Sequence, residues 1–157
     1  MTKISLAVVS AALAIGMVAP VSAGINDPEL IIYRFAGVRD SGLGGGLGAA
    51  TAFSCTNFSG ATENIRLVTR NTDTSIISNQ VLTLAHLQSQ VAATHLPNTY
   101  PAALVLNTGL VAGGTTAIAA TSINVICTAM AIDASTAFPH GVSLRGVRFN
   151  PIPGSQE

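Results

Sequence analysis

Apolar and polar residues alternate with a period of two through most of the chain beyond its first two dozen positions. In "ATAFSCTNF" (50–58), Phe53 and Cys55 share one face and Ser54 and Thr56 the other. In "NIRLVTRN" (64–71), Ile65 and Leu67 oppose Arg66, Val68 and Arg70. Side chains alternate across a strand, so these runs predict strands with one face on a core and one in water. "ELIIYRF" (29–35), "AALVLNTG" (102–109) and "TTAIAATS" (115–122) read the same way, being rich in residues that favour extended backbone. In "NVICTAMAID" (124–133), Val125, Cys127, Ala129 and Ala131 fall on one side, and Ile126, Thr128, Met130 and Ile132 on the other. Apolar residues on both sides predict a central strand, or one covered by neighbouring chain on its outer side. "VSLRGVRFN" (142–150) predicts a last strand, with Gly146 marking a bulge.

Turn-forming residues separate these runs. "AGVRDSGLGGGLGAA" carries glycines at 42, 44, 45, 46 and 48 and reads as a supple connector. "SGATE", "NTDT", "LVAGG" and "ASTAFPHG" turn the chain, and "LPNTYP" (96–101) is a loop held between Pro97 and Pro101. "SIISNQVLTLAHLQSQVAATH" (75–95) is ambiguous: strands at 75–84 and 88–94 are expected, with a helix through 84–93 as the alternative. Seven or eight short strands at spacings near ten residues, without alternating helices, predict an all-β chain. It is read as a single antiparallel β-sandwich, immunoglobulin-like or related, with a partly open β-barrel as the second choice.

The opening differs in kind. Lys3 precedes the apolar run "ISLAVVSAALAIGMVA", and Val21-Ser22-Ala23 closes it with a small-x-small step before Gly24. This is the pattern of a secretory signal cleaved after Ala23; the run is short of the roughly 20 residues a membrane helix needs. The expected organisation is a cleaved signal over 1–23, an N-terminal strand and glycine-rich connector over 24–49, a sandwich core over 50–150 and a tail over 151–157. The expected location is the periplasm, the cell surface or the extracellular medium, with no membrane span left after cleavage.

Lys3 is the only lysine, so residues 24–157 hold six arginines against seven acids. Nucleic acid needs a basic footprint, which is absent here. So few charges also leave little repulsion between copies, which is compatible with self-association.

In an oxidising compartment the two cysteines, Cys55 and Cys127, are expected to form a disulfide. No base or cation lies near Cys55 in sequence to activate a thiolate, and no close C-x-x-C pair marks a zinc site. His86, His95 and His140, with Met130, form a weak alternative as soft metal ligands, because no spacing brings them together. They are expected to be partly exposed, and no cofactor or resident metal is expected. Asp133, His140 and Ser143 contain the residue types of a hydrolase but lack the G-x-S-x-G elbow. The glycine run lacks the G-K-[ST] of a phosphate loop.

The binding candidates are Asn98 and Tyr100 in the proline-framed loop, and Arg145 and Arg148 as contacts to an anion. The glycine connector raises one further expectation, that residues 24–40 exchange between protomers by strand addition. The general look is that of small exported bacterial sandwich domains. The chain is therefore read as a non-enzymatic structural or protein-interaction domain, able to self-assemble and working with a protein partner. A small-ligand or metal-binding module is the alternative.

Overall fold

The structure, a computed structural model, describes residues 30–138 and 140–149. The expected signal (1–23) and tail (151–157) lie outside the described residues. The alternating runs form β1 (Leu30–Asp40), β2 (Ala49–Asn57), β3 (Glu63–Arg70), β4 (Ile76–Leu84) and β5 (Ser89–Ala93). They continue as β6 (Leu104–Val105), β7 (Val111–Ala120), β8 (Val125–Asp133), β9 (Gly141–Leu144) and β10 (Gly146–Arg148). One sheet has the order β10-β1-β7-β3-β4 and the other β6-β5-β2-β8-β9. The chain is an all-β sandwich of two five-stranded sheets. Among the described residues no ladder joins the sheets, so the barrel alternative is set aside. Every pairing is antiparallel except the short parallel contact of β5 with β6.

The inward faces are those that alternation assigns. Phe53, Cys55, Ile65, Leu67, Ile118, Val125 and Cys127 meet Phe35, Val38, Leu82, Leu84 and Leu106 in one buried cluster. Phe35 anchors it, with ring centroids 5.8 Å from both Tyr33 and Phe53. Such aromatic pairs contribute beyond the area they bury. The outer side of β8 is covered at one end, as its two-sided apolar pattern predicts. Val91, Tyr100 and Met130 pack on Ala50, Ala52, Ile132 and Ala134 in a second cluster.

The strands expected over 75–84 and 88–94 form, and the helix alternative through 84–93 is set aside: β4 ends at Leu84, Leu87 takes φ 62° in the turn, and β5 follows. Asn57 fixes that turn by accepting from the Leu87 N–H and donating its own N–H to Gln88 O. Strand β1 runs past Phe35 to Asp40, helped by register shifts at Ile31/Tyr33 and Ala36/Val38, the second beside Gly37 at φ 78°. It lies between β7 and β10, so residues 30–40 pair within their own chain as an inner strand of the sandwich. Residues 24–29 of the expected exchange segment lie outside the described residues.

Gly146 is not a bulge. At Arg145 the chain leaves β9 on the edge of one sheet and enters β10 on the edge of the other. Gly146 then crosses Phe35 so closely that an added Cβ would sit 2.4 Å from the ring. Gly146→Ala is expected to cost about 1–3 kcal/mol, the usual penalty of overpacking a filled core. Urea unfolding checks it, and a change under 0.5 kcal/mol, the scale of ordinary surface substitutions, would show that the crossover yields freely.

Candidate functional site

Strand register decides which loops meet. Asp40 pairs with Val111, Ala49 with Asp133 and Ala52 with Ala93. The loops 41–48, 94–103, 106–110 and 134–138 therefore gather at one end of the sandwich, called here the glycine-loop end. The turns 58–62, 85–88 and 121–124 lie at the far end.

Cys55 and Cys127 are register partners on β2 and β8, with Cα atoms 4.2 Å apart and their sulfurs bonded across 72 residues of chain. This is the close spacing of a pair that exchanges no backbone hydrogen bonds, which brings the side chains together. The disulfide faces the core and ties neighbours within one sheet, rather than bridging the two sheets as in antibody domains.

A polar knot closes the glycine-loop end. Asp40 Oδ1 accepts from the Gly42 N–H at 2.7 Å, and Oδ2 accepts from Thr108 Oγ1 at 3.2 Å and from His95 Nδ1 at 2.9 Å. Thr51 Oγ1 accepts from the Arg39 N–H and donates to Arg39 O, while the Thr51 N–H donates to Thr94 Oγ1. His95 is 7% exposed, which corrects the expectation of three partly exposed histidines. An aspartate–histidine pair is part of a hydrolytic triad, but His95 Nε2 is buried without a hydrogen-bond partner and so holds no nucleophile. The knot therefore acts as a structural tie between four segments.

The other sequence candidates are dispersed. His86 sits in the far-end turn, where Nδ1 accepts from the Gly60 N–H at 3.0 Å, while His95 and His140 lie at the opposite end. The three cannot share a metal, and among the described residues no group of three potential ligands gathers. The His140 carbonyl accepts from the Asp133 N–H, and the Asp133 carboxylate is occupied by Ser135 Oγ and N–H. The Ser135 hydroxyl first, then its N–H, hold the Asp133 carboxyl below its ordinary value. The Asp133–His140–Ser143 set is thus not assembled as a triad.

Asn98 is used internally. Its backbone N–H donates to Ala134 O and its side-chain amide to Ser135 O, while its Oδ1 lies against Gly46. Tyr100 separates two depressions on the outer face of the second sheet. One of about 420 Å³ is lined by Gln90, Pro101 and Ala103, and one of about 280 Å³ by Ser54, Thr128 and Ser143. Arg148 lies 5.8 Å above the Tyr33 ring and donates to Ile123 O, and Arg145 occupies the sheet crossover. Different arginines converge instead. Arg34 from β1 and Arg66 and Arg70 from β3 rim a trough of about 340 Å³ floored by Ala117 and Ala119 of β7. The sequence placed Arg66 and Arg70 on one face, but Arg34 joins them only through the order β1-β7-β3.

The sequence reading also missed an apolar surface. Leu43, Leu47, Leu96, Leu110 and Phe138 are exposed, Leu110 by 67% and Phe138 by 83%, on the loops of the glycine-loop end. Gly42 packs on Leu110, Asn98 joins the glycine loop to the 134–136 turn, and Thr99 donates to Thr136 O. The loops that carry these side chains are therefore held in fixed positions.

No protein-family model matches the chain, and no curated protein does. A solved structure titled "Crystal Structure of Thermotoga maritima 1070" is similar, with a TM-score of 0.50 at 13% identity. The likeness covers 76% of this chain and 91% of that one. It is a likeness of fold. Sandwiches of this kind commonly serve as structural or interaction domains, with function carried by their loops and faces.

Proposed function

We propose that this chain is an exported bacterial structural or protein-interaction domain, non-enzymatic, that holds a protein partner at its glycine-loop end. The observation that carries the reading is the set of five large apolar side chains exposed on loops tied together by hydrogen bonds. Contiguous apolar exposure on a protein surface marks interaction sites, and a rigid scaffold lowers the ordering cost of binding. Export, from a signal over 1–23 to the periplasm or beyond, agrees with a buried disulfide, since such bonds persist in oxidising compartments.

The test is affinity capture from the native exported fraction with wild-type protein and with a Leu43→Ser, Leu110→Ser, Phe138→Ser variant. A partner retained by the wild type is expected to fall at least tenfold with the variant, whose thermal unfolding stays close to wild type. Equal retention would place recognition elsewhere. A second reading, a small-ligand module, rests on the paired depressions beside Tyr100.

A further inference from the structure

Sheet edges present unpaired backbone groups, and natural proteins blunt them with short strands, charges or proline. Three edges of this sandwich follow that practice, with β10, β6 and β9 of three, two and four residues. The fourth has only a register shift near its start, between the Thr69–Ser78 and Arg70–Ile76 pairs, to blunt it. β4 has nine residues, "IISNQVLTL", with no charged residue and no proline. Among the described residues it pairs with β3 alone. Ile76 and Val81 are exposed on it.

We propose that β4 is a pairing edge for a second copy of this chain, joining antiparallel to its equivalent across a twofold axis. The two first sheets then form one continuous sheet. A twofold contact sets a surface against itself, so any charge on the edge would face its own copy. β4 carries none, and the whole chain has a formal net charge of +0. The nearest same-face cations, Arg66 and Arg70, stand one strand inward on β3. At the usual strand spacing the two β3 strands would lie about 14 Å apart. That exceeds a Debye length of about 8 Å at physiological salt, so the arginines do not oppose pairing.

Antiparallel pairing also places Ile76 and Val81 of both copies on one shared outer face. A foreign strand would find no charge on β4 to select it. Nine residues span about 30 Å and, at the ~10 Å separation of stacked sheets, offer about 300 Å² per copy. Two such faces fall short of the ~1,200 Å² of stable complexes, so the dimer is reversible and concentration-dependent. β4 begins at the glycine-loop end, where Ser78 Oγ donates to Leu106 O, but the pairing uses the strand edge and not the loops, and it does not depend on the partner reading above.

Sedimentation velocity on purified, disulfide-intact protein from micromolar to millimolar concentration tests it. The mass is expected to rise from one chain to two. An Asn79→Lys, Val81→Lys variant should associate at least tenfold more weakly, while Val142→Lys on β9 and the loop-end triple variant leave association unchanged. If the lysine variant does not fold, hydrogen exchange on the wild type gives the answer, since concentration should protect amides of β4 in particular. A monomer throughout, a dimer that the lysines leave intact, or new protection away from β4 would each overturn the proposal.

Discussion

Replacing Cys55 and Cys127 together by alanine is expected to lower stability by about 4 kcal/mol, the chain-entropy value for a closed loop of this length. The expected fall in melting temperature is roughly 15 °C for a domain of this size. The disulfide restrains the unfolded chain across most of the described sequence, from the second strand to the eighth. Its loss should therefore also raise the denaturant slope, because the unfolded state expands. Packing adds to the effect. The sulfurs are buried beside Phe53, Val125 and Ala129, so two alanines leave a space that the close-packed sheets fill only in part. Equilibrium urea unfolding of wild type and double variant measures both quantities. A loss below about 1 kcal/mol would mean that the ladder of β2 and β8 holds the two halves without the bond.

Asp40→Ala is the second large effect, expected at about 2–6 kcal/mol, because it strands two buried donors, on Thr108 and His95, at about 1–3 kcal/mol each. The carboxylate accepts from the Gly42 N–H, Thr108 Oγ1 and His95 Nδ1, and Asp40, Thr108 and His95 are all buried. Each stranded donor bears its desolvation cost. Asp40→Asn keeps one acceptor but sets an amide N–H toward the donors, so a smaller loss of about 1–3 kcal/mol is expected. Hydrogen exchange should show the loosening concentrated in 42–48 and 94–110, with β2 and β8 little changed. A loss within 1 kcal/mol for Asp40→Ala would contradict the knot as a tie.

The sequence disclosed those parts of the molecule that follow from local alternation. Phe53, Cys55, Ile65 and Leu67 point inward because a strand has a two-residue period, and the all-β sandwich follows from the density of such runs. The two-sided pattern of β8 correctly implied an outer cover, although not that Tyr100 and Val91 supply it. Long-range register was not legible. "VRDSG" reads as a turn, and only the pairing of Asp40 with Val111 carries its carboxylate to Thr108 and His95. The sheet crossover at Arg145 was hidden for a related reason. A glycine within a strand-like run signals a bulge or a close approach equally well, and the Phe35 ring that decides between them lies 111 residues earlier in the chain.

The candidate surface was less legible than the fold. Leucines scattered in a glycine-rich stretch, a loop and a turn carry no shared pattern, and they share one end of the sandwich only because four loops converge there. The arginine trough needs three adjacent strands in a particular order. By contrast, the edge character of β4 depends on what does not pair with it, which no residue pattern announces.

The account rests on the proposal that the chain is exported, so that its two cysteines bond β2 to β8 within one sheet of the sandwich. Intact-mass analysis of protein isolated from the exported fraction under thiol-blocking conditions tests this most directly. The expected product begins at Gly24 and takes up no blocking agent until reduced, after which it takes up two. Label at Cys55 or Cys127 before reduction, on a chain that still carries residues 1–23, would contradict the account.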